Sequence, residues 1–304
     1  MRRMVSSPVR QWRLHLGAHK TATTHLQDTL AAHRQALLAR DIDYLPVAEA
    51  RPVLRRNMRP EGLRRKFWSP PVRMLMRRDL ERLRRGPATV LLSEEDLLGY
   101  TFDQLGDPLY PRLPGLPLIR ALGQGGAGLH LFLAVRSLDA LIPSAYAQMI
   151  RALPPEPGGF DAVRARLDRQ PPTWCDLVAR LRDALPGAAL TVWRYEDWRS
   201  HWRALLDRYV GAPAGPYPEL PPPASTLSPS PRAVAEAEAL DRSLPMAARL
   251  REAEAIYARY PAGEAHGRFA PLEPALVARL REAYEADLAE IDRRFPGCLL
   301  RFDR

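Results

Sequence analysis

The sequence predicts an α/β fold: a parallel β-sheet flanked by helices, with a helical C-terminal extension. Two observations point there. Short apolar runs alternate with stretches of helical periodicity over the first two thirds of the chain, the pattern of buried strands joined by crossover helices. Past a proline-rich connection only helical patterns remain. At 304 residues the chain is long enough to bury a sizeable core. One domain is expected over residues 1–304, with an α/β core at 1–210, an irregular connection at 211–231 and a helical part at 232–304.

The expected strands are Trp12–Leu16, Ile42–Leu45, Thr89–Leu92, Leu129–Val135 and Ala189–Trp193, each a short apolar run. Helical spacing predicts helices over Thr23–Ala39, Val72–Arg84, Leu138–Arg151, Thr173–Ala184 and Asp197–Val210. Stretches rich in proline and glycine near 106–128 and 154–159 read as loops, and GAPAGPYPELPPPASTLSPSP at 211–231 reads as a longer connection. Arg232–Tyr260 and Leu272–Phe295 complete the helical third.

Composition removes several classes. A hydrophobic fraction of 46% with 26% charged residues is ordinary for a globular protein. Two cysteines, Cys175 and Cys298, build neither a disulfide framework nor a cysteine-rich zinc site. No apolar run approaches the roughly 20 residues that span a bilayer. The start, MRRMVSSPVRQW, has arginines but no apolar core, so no secretory signal is expected and the compartment expected is the cytoplasm.

The charge is uneven. Of 45 basic residues only Lys20 and Lys66 are lysines, so a lysine kept among arginines hints that the compact ammonium matters there. From Arg51 to Arg85 there are 13 basic residues against three acids, a surplus equal to the net +10 of the whole chain. That run reads either as a solvated helix face or as a patch that steers an acidic partner. Only Phe67 and Trp68 interrupt it as aromatics, too few for a platform that stacks single-stranded nucleic acid. No nucleic-acid partner is expected.

The most informative stretch is LHLGAHKTATTHLQ, residues 14–27. A strand runs into a short loop and a helix begins near Thr23, so unpaired N–H groups and the helix dipole favour an anion at the turn. Lys20 adds a full charge, and Thr21, Thr23 and Thr24 add hydroxyls. The triphosphatase pattern G-x-x-x-x-G-K-[ST] is not met, since His19 precedes the lysine, which lies only three positions after Gly17.

GAHKTATTHLQ instead resembles the 5′-phosphosulfate loop of bacterial sulfotransferases that use 3′-phosphoadenosine 5′-phosphosulfate (PAPS), commonly G-x-H-K-T-G-T-T-x-L-Q. Ala22 stands where that family usually has glycine. The stretch LFLAVRSLDALIPS, residues 131–144, is similar to the family's 3′-phosphate site: an arginine at a strand end (Arg136), a serine eight positions on (Ser144), and a tyrosine soon after (Tyr146). VWRYED at 192–197 resembles the strand end whose tyrosine lies near the adenine, so Tyr195 either contacts that ring or packs the sheet edge. STLSP at 225–229 resembles the family's N-x-S-L-S segment, with alanine in place of the asparagine.

The resemblance implies a P-loop-NTPase-like sulfotransferase fold and a cofactor site made of Gly17, His19, Lys20, Thr21, Ala22, Thr23, Thr24, Arg136, Ser144 and Tyr195. It further implies PAPS as donor, adenosine 3′,5′-bisphosphate as product, and no required metal. Lys20 is the expected stabiliser of the leaving phosphate. TVLLSEED at 89–96 resembles the family's S-x-E at a strand end, whose glutamate lies near the acceptor hydroxyl, which implies Glu95 as the base with Glu94 the runner-up. Those acids also suit a helix start capped by Ser93, and His19 and His25 are alternative bases. The acceptor expected is a hydroxyl or amine, with the basic segment favouring an anionic saccharide or glycolipid headgroup. A nucleotide-dependent kinase and a non-catalytic polyanion-binding protein acting through 51–85 are the competing readings.

Overall fold

The structure is a computed structural model describing residues 9–58, 70–221 and 229–302. Five strands, β1 (Gln11–His15), β2 (Ile42–Leu45), β3 (Thr89–Ser93), β4 (Gly128–Val135) and β5 (Ala189–Arg194), form one sheet in the order β2-β3-β1-β4-β5. All four pairings are parallel. The helices are α1 (Thr23–Leu38), α2 (Val47–Met58), α3 (Pro70–Glu81), α4 (Leu116–Leu122), α5 (Leu138–Ala152), α6 (Gly159–Arg169), α7 (Trp174–Ala184), α8 (Tyr195–Val210), α9 (Pro231–Glu238), α10 (Met246–Arg259) and α11 (Pro274–Arg294). The α/β fold expected from the alternating apolar runs is the one observed.

Side chains alternate across the strands and feed two cores. On one face Leu26 and Leu30 of α1 pack with Trp193, Leu205, Leu206 and Tyr209. On the other, Trp12, Leu14, Leu131 and Leu133 meet residues of α4, α5 and α7 in the larger core. Neighbouring strands β1 and β4 therefore send their following helices, α1 and α5, to opposite faces. That divergence opens a crevice at the carboxyl ends of the strands, where ligands of open α/β sheets bind. The register sets what borders it. His15 pairs with Ser93 and with Phe132, and Val135 pairs with Arg194, so the turns after β1, β3, β4 and β5 share one edge.

Several elements depart from the expected layout. The single helix expected over 232–260 is two, α9 and α10, separated by a turn in which Ser243 donates to Asp241 and Pro245 starts the second helix. Proline at a helix start is permitted because its missing N–H would be unpaired there. Helices α2 and α6 occupy stretches expected to be irregular or unassigned, and α4 lies inside the loop expected at 106–128. The chain end also returns to the sheet: Val192 N–H donates to Cys298 O (2.8 Å) and Leu300 N–H to Val192 O (2.7 Å). This covers the edge of β5 that would otherwise present unpaired backbone groups. Cys175 and Cys298 are free buried thiols. Among the described residues no helix is long and apolar enough to cross a membrane.

Beneath the crevice sits His15, 1% exposed and stacked on Trp193 with centroids 5.3 Å apart. Its Nδ1 lies 2.9 Å from Ser93 Oγ, and burial pushes its pKa down to about 3. The unfolded chain binds this proton near pH 6.5 and the folded one does not. Stability therefore falls as pH drops below about 6.5, by about 1.4 kcal/mol per unit for this group. Denaturant unfolding between pH 6.5 and 5 should show the slope, and His15→Phe should flatten it by one proton's worth; an unchanged slope would contradict the burial argument.

Candidate active site

The turn after β1 is tied to the neighbouring strand by main chain. Ala18 N–H donates to Ala134 O (2.9 Å), and Leu16 N–H to Phe132 O (2.8 Å). Gly17 has φ +90°, and a Cβ there would lie 2.9 Å from the Glu95 Cβ, so only glycine fits the turn. Thr21 and Thr23 are buried, and their hydroxyls donate to Ala18 O at 2.6 and 3.3 Å. They brace the loop from within, whereas Thr24 is exposed at the start of α1. Lys20 and Ala22 take positive φ, 64° and 63°. Ala22 is the N-cap of α1, and no side chain caps the helix, leaving its first N–H groups for a ligand.

His19 is held rather than free. Its N–H donates to Tyr110 Oη (3.1 Å), its Nδ1 lies 3.0 Å from that oxygen, and its Nε2 lies 3.4 Å from Asp96 Oδ1. His25, the other alternative base, packs edge-on between Trp198 and Trp202 on the α8 side.

Arg136 follows β4 and reaches back to the loop: its Nη1 donates to Lys20 O at 2.7 Å. Its Cζ sits 4.4 Å over the Tyr195 ring, a cation–π contact that fixes the plane of the guanidinium. Trp174 Nε1 donates to Arg136 O (2.9 Å), and the Arg136 Nε is buried with no partner. Tyr195 thus touches Arg136 as the first residue of α8. Tyr146, by contrast, turns into the core, where its hydroxyl donates to Glu238.

Lys20, Arg136 and Ser144 line one cavity of about 420 Å³. Its wall carries five cations, Lys20, Arg136, Arg151, Arg268 and Arg281, against one carboxylate, Asp139, which accepts from Arg281 (2.9 Å). The Lys20 ammonium has no hydrogen-bonding or ionic partner among the described residues. Burial lowers its pKa, and Arg136 and Arg151 lower it further; burial also lowers that of Arg136. Concentrated, partly dehydrated positive charge of this kind is relieved by an anion. Phe269, Leu272 and Tyr257 supply apolar wall for a flat or aliphatic ligand part.

The sequence reading missed Gln148, Arg151, Arg268 and Arg281. Helical spacing could have found the first two, because Ser144, Gln148 and Arg151 recur along one face of α5. The others come from the C-terminal third and carry no local signature in an arginine-rich chain. Of the STLSP segment, residues 225–228 lie outside the described residues.

On the far side of the loop the acids at 94–96 separate in role. Glu94, not Ser93, is the N-cap of a single 3₁₀ turn at Glu95–Leu97, its side chain accepting from Asp96 N–H. Ser93 ends β3 with its hydroxyl against His15. Glu94 is fully buried and receives a bidentate pair from Arg51, at 2.7 and 2.9 Å. Glu95 is 18% exposed at the side chain and lies against Gly17. Arg55 pairs with Asp96 (3.3 Å), Arg77 with Glu81 (2.7 Å) and Arg82 with Asp79 (3.4 Å). Much of the described part of the basic segment is therefore neutralised at short range rather than left as a bare patch. Residues 59–69, including Lys66, lie outside the described residues. Among the described residues no group of three or more histidine, cysteine or carboxylate side chains is placed to hold a metal ion.

No family model, curated protein or solved structure matches this chain.

Left-handed backbone costs an alanine roughly 1–2 kcal/mol, part of which glycine returns as unfolded-chain entropy. Ala22→Gly should therefore raise unfolding stability by up to about 1 kcal/mol. Lower stability of the variant in denaturant unfolding would show that the alanine methyl packs more than it strains.

Proposed function

We propose that this protein is a sulfotransferase moving a sulfuryl group from PAPS to a hydroxyl or amine acceptor. The reading rests on one observation: Lys20, Arg136 and Ser144, drawn from two separate sequence motifs, line the same cation-rich cavity. A nucleotide with anionic groups at both ends suits a wall of five cations and an unpartnered lysine. The sequence resemblance supplies the rest.

PAPS, when bound, supplies the sulfuryl group and departs as adenosine 3′,5′-bisphosphate. Lys20 and the uncapped start of α1 hold the negative charge that grows on the departing phosphate, a positioning and electrostatic role like that in phosphoryl transfer. Arg136 and Ser144 grip the ribose phosphate through charge-assisted hydrogen bonds. Tyr195 is held under Arg136 and borders the nucleotide. Glu95 takes the acceptor's proton; Glu94, paired twice to Arg51 and fully buried, is poorly suited to that step. The acceptor class favoured by the basic segment is an anionic saccharide or glycolipid headgroup. With Arg51 and Arg55 already paired, that preference rests on the remainder of the segment.

Calorimetric titration with adenosine 3′,5′-bisphosphate, ATP and heparin separates this reading from its competitors. The bisphosphate should bind and Arg136→Ala should abolish binding. Tight ATP binding without bisphosphate binding would instead favour a kinase, and salt-sensitive heparin binding alone a polyanion-binding protein. Removing a charge-stabilising group of the Lys20 kind costs roughly 3–4 kcal/mol, so Lys20→Ala should lower turnover by about a hundredfold or more.

A further inference from the structure

The Glu95 carboxylate is held from two sides by residues to which the reading above gives no part. Gln27 of α1 donates through Nε2 to Glu95 Oε2 at 3.3 Å, and the same nitrogen reaches Ser93 O (3.2 Å) and Ser93 Oγ (3.3 Å). Arg51 of α2 places Nη2 at 3.5 Å from Glu95 Oε1 while its fork is fixed on Glu94. Gln27 is 6% exposed and Glu94 is fully buried, so neither arm swings freely.

We propose that Arg51 and Gln27 are positioning residues for Glu95, and that Glu94 acts as the anchor that holds Arg51 in place. The proposal rests on the assignment of Glu95 as the base. Arginine is required because one guanidinium must face two carboxylates at once, which a lysine ammonium on a flexible stem does not reproduce. Gln27 lies one helical turn into α1, so its amide ties the base to the same helix whose start faces the anion. Base and phosphate loop then move as one piece.

Other charged and titratable groups face Glu95. Glu94 lies in the same turn, Tyr110 comes from the connection after β3 and Tyr44 from β2, while Arg55 of α2 and His19 of the loop pair with the adjoining Asp96. Burial holds both tyrosines neutral, well above their ordinary pKa. Glu94 itself acts on Glu95, so only Arg51→Met and Gln27→Leu report on the positioning pair alone.

The substitutions separate charge from geometry. Arg51→Met removes a cation within 4 Å of Glu95, so the carboxylate should titrate at higher pH than in the unaltered protein. Glu94→Gln leaves Arg51 only a neutral acceptor and should lower kcat as the anchor loosens. Gln27→Leu removes no charge and should reduce kcat with little movement of the acid limb of the rate profile.

Two readouts apply. One is the carboxyl carbon-13 shift of Glu95 in the folded, full-length protein, assigned by its loss in Glu95→Gln; this needs no substrate. The other is the acid limb of kcat/KM. A Glu95 titration moved to higher pH in Arg51→Met, with kcat lowered in Gln27→Leu, supports the proposal. An unmoved titration in Arg51→Met overturns it, as does an unchanged kcat in Gln27→Leu where Arg51→Met fails to fold. Should the titration move as expected while Glu95→Gln turns over normally, the positioning stands and the assignment of Glu95 as base falls.

Discussion

The functional region depends on the tie between the turn after β1 and β4, where main-chain bonds are completed by the Arg136 guanidinium donating to the Lys20 carbonyl. It reaches across the crevice that opens because α1 and α5 leave the sheet on opposite faces. Lys20 needs left-handed backbone to make its turn, and a carbonyl secured by a charged donor helps to hold that conformation. The same guanidinium is stacked on Tyr195, and its buried Nε has no partner. The cost is electrostatic. Lys20, Arg136 and Arg151 crowd one wall, and burial adds to their mutual repulsion. A ligand bringing negative charge relieves both penalties, which is why such a cavity selects anions.

The acids on the other side of the loop follow a different logic. Glu94 is taken wholly out of water, and its carboxylate persists there only through the two-pronged pair with Arg51. Leaving either partner alone in the interior costs far more than the intact pair contributes. That arrangement explains why three consecutive acids are not equivalent. Glu94 is structural, Asp96 closes onto His19 and Arg55, and Glu95 alone keeps an edge toward solvent beside Gly17. The requirement for glycine at 17 is therefore also a requirement of Glu95, since any Cβ would collide with it.

Much of this was readable from the chain before any coordinates. Strands β3 and β4 were marked by apolar runs, because a strand buried on both faces is apolar along its length, whereas β1 carries Arg13 and His15 and β2 carries Asp43. Helix α2 was obscured by Pro52 and by arginines that turn out to point at acids, and α6 by the proline and glycine around it, although Phe160, Val163 and Leu167 keep helical spacing. Gly17–Thr24, Arg136 and Ser144 stood out because turns at strand ends carry compact local patterns. Arg268 and Arg281 did not, because 43 arginines leave no single one conspicuous and only tertiary packing brings these two to the cavity. The local register at 89–96 ranked Glu95 ahead of Glu94, but the burial and pairing of Glu94 come from α2 folding across the turn. The buried partner of Ser93 is His15, a contact between two strands distant in sequence, so the hydroxyl expected to cap a helix serves the sheet instead.

The central claim is that one anionic nucleotide bridges the turn after β1 and the start of α5. A crystal structure of the protein soaked with adenosine 3′,5′-bisphosphate tests it most directly. The account predicts the 5′-phosphate against Lys20 and the first N–H groups of α1, with the 3′-phosphate on Arg136 and Ser144. Phosphate density at any other pair of positions, with the Lys20–Arg136 cavity empty, would contradict it.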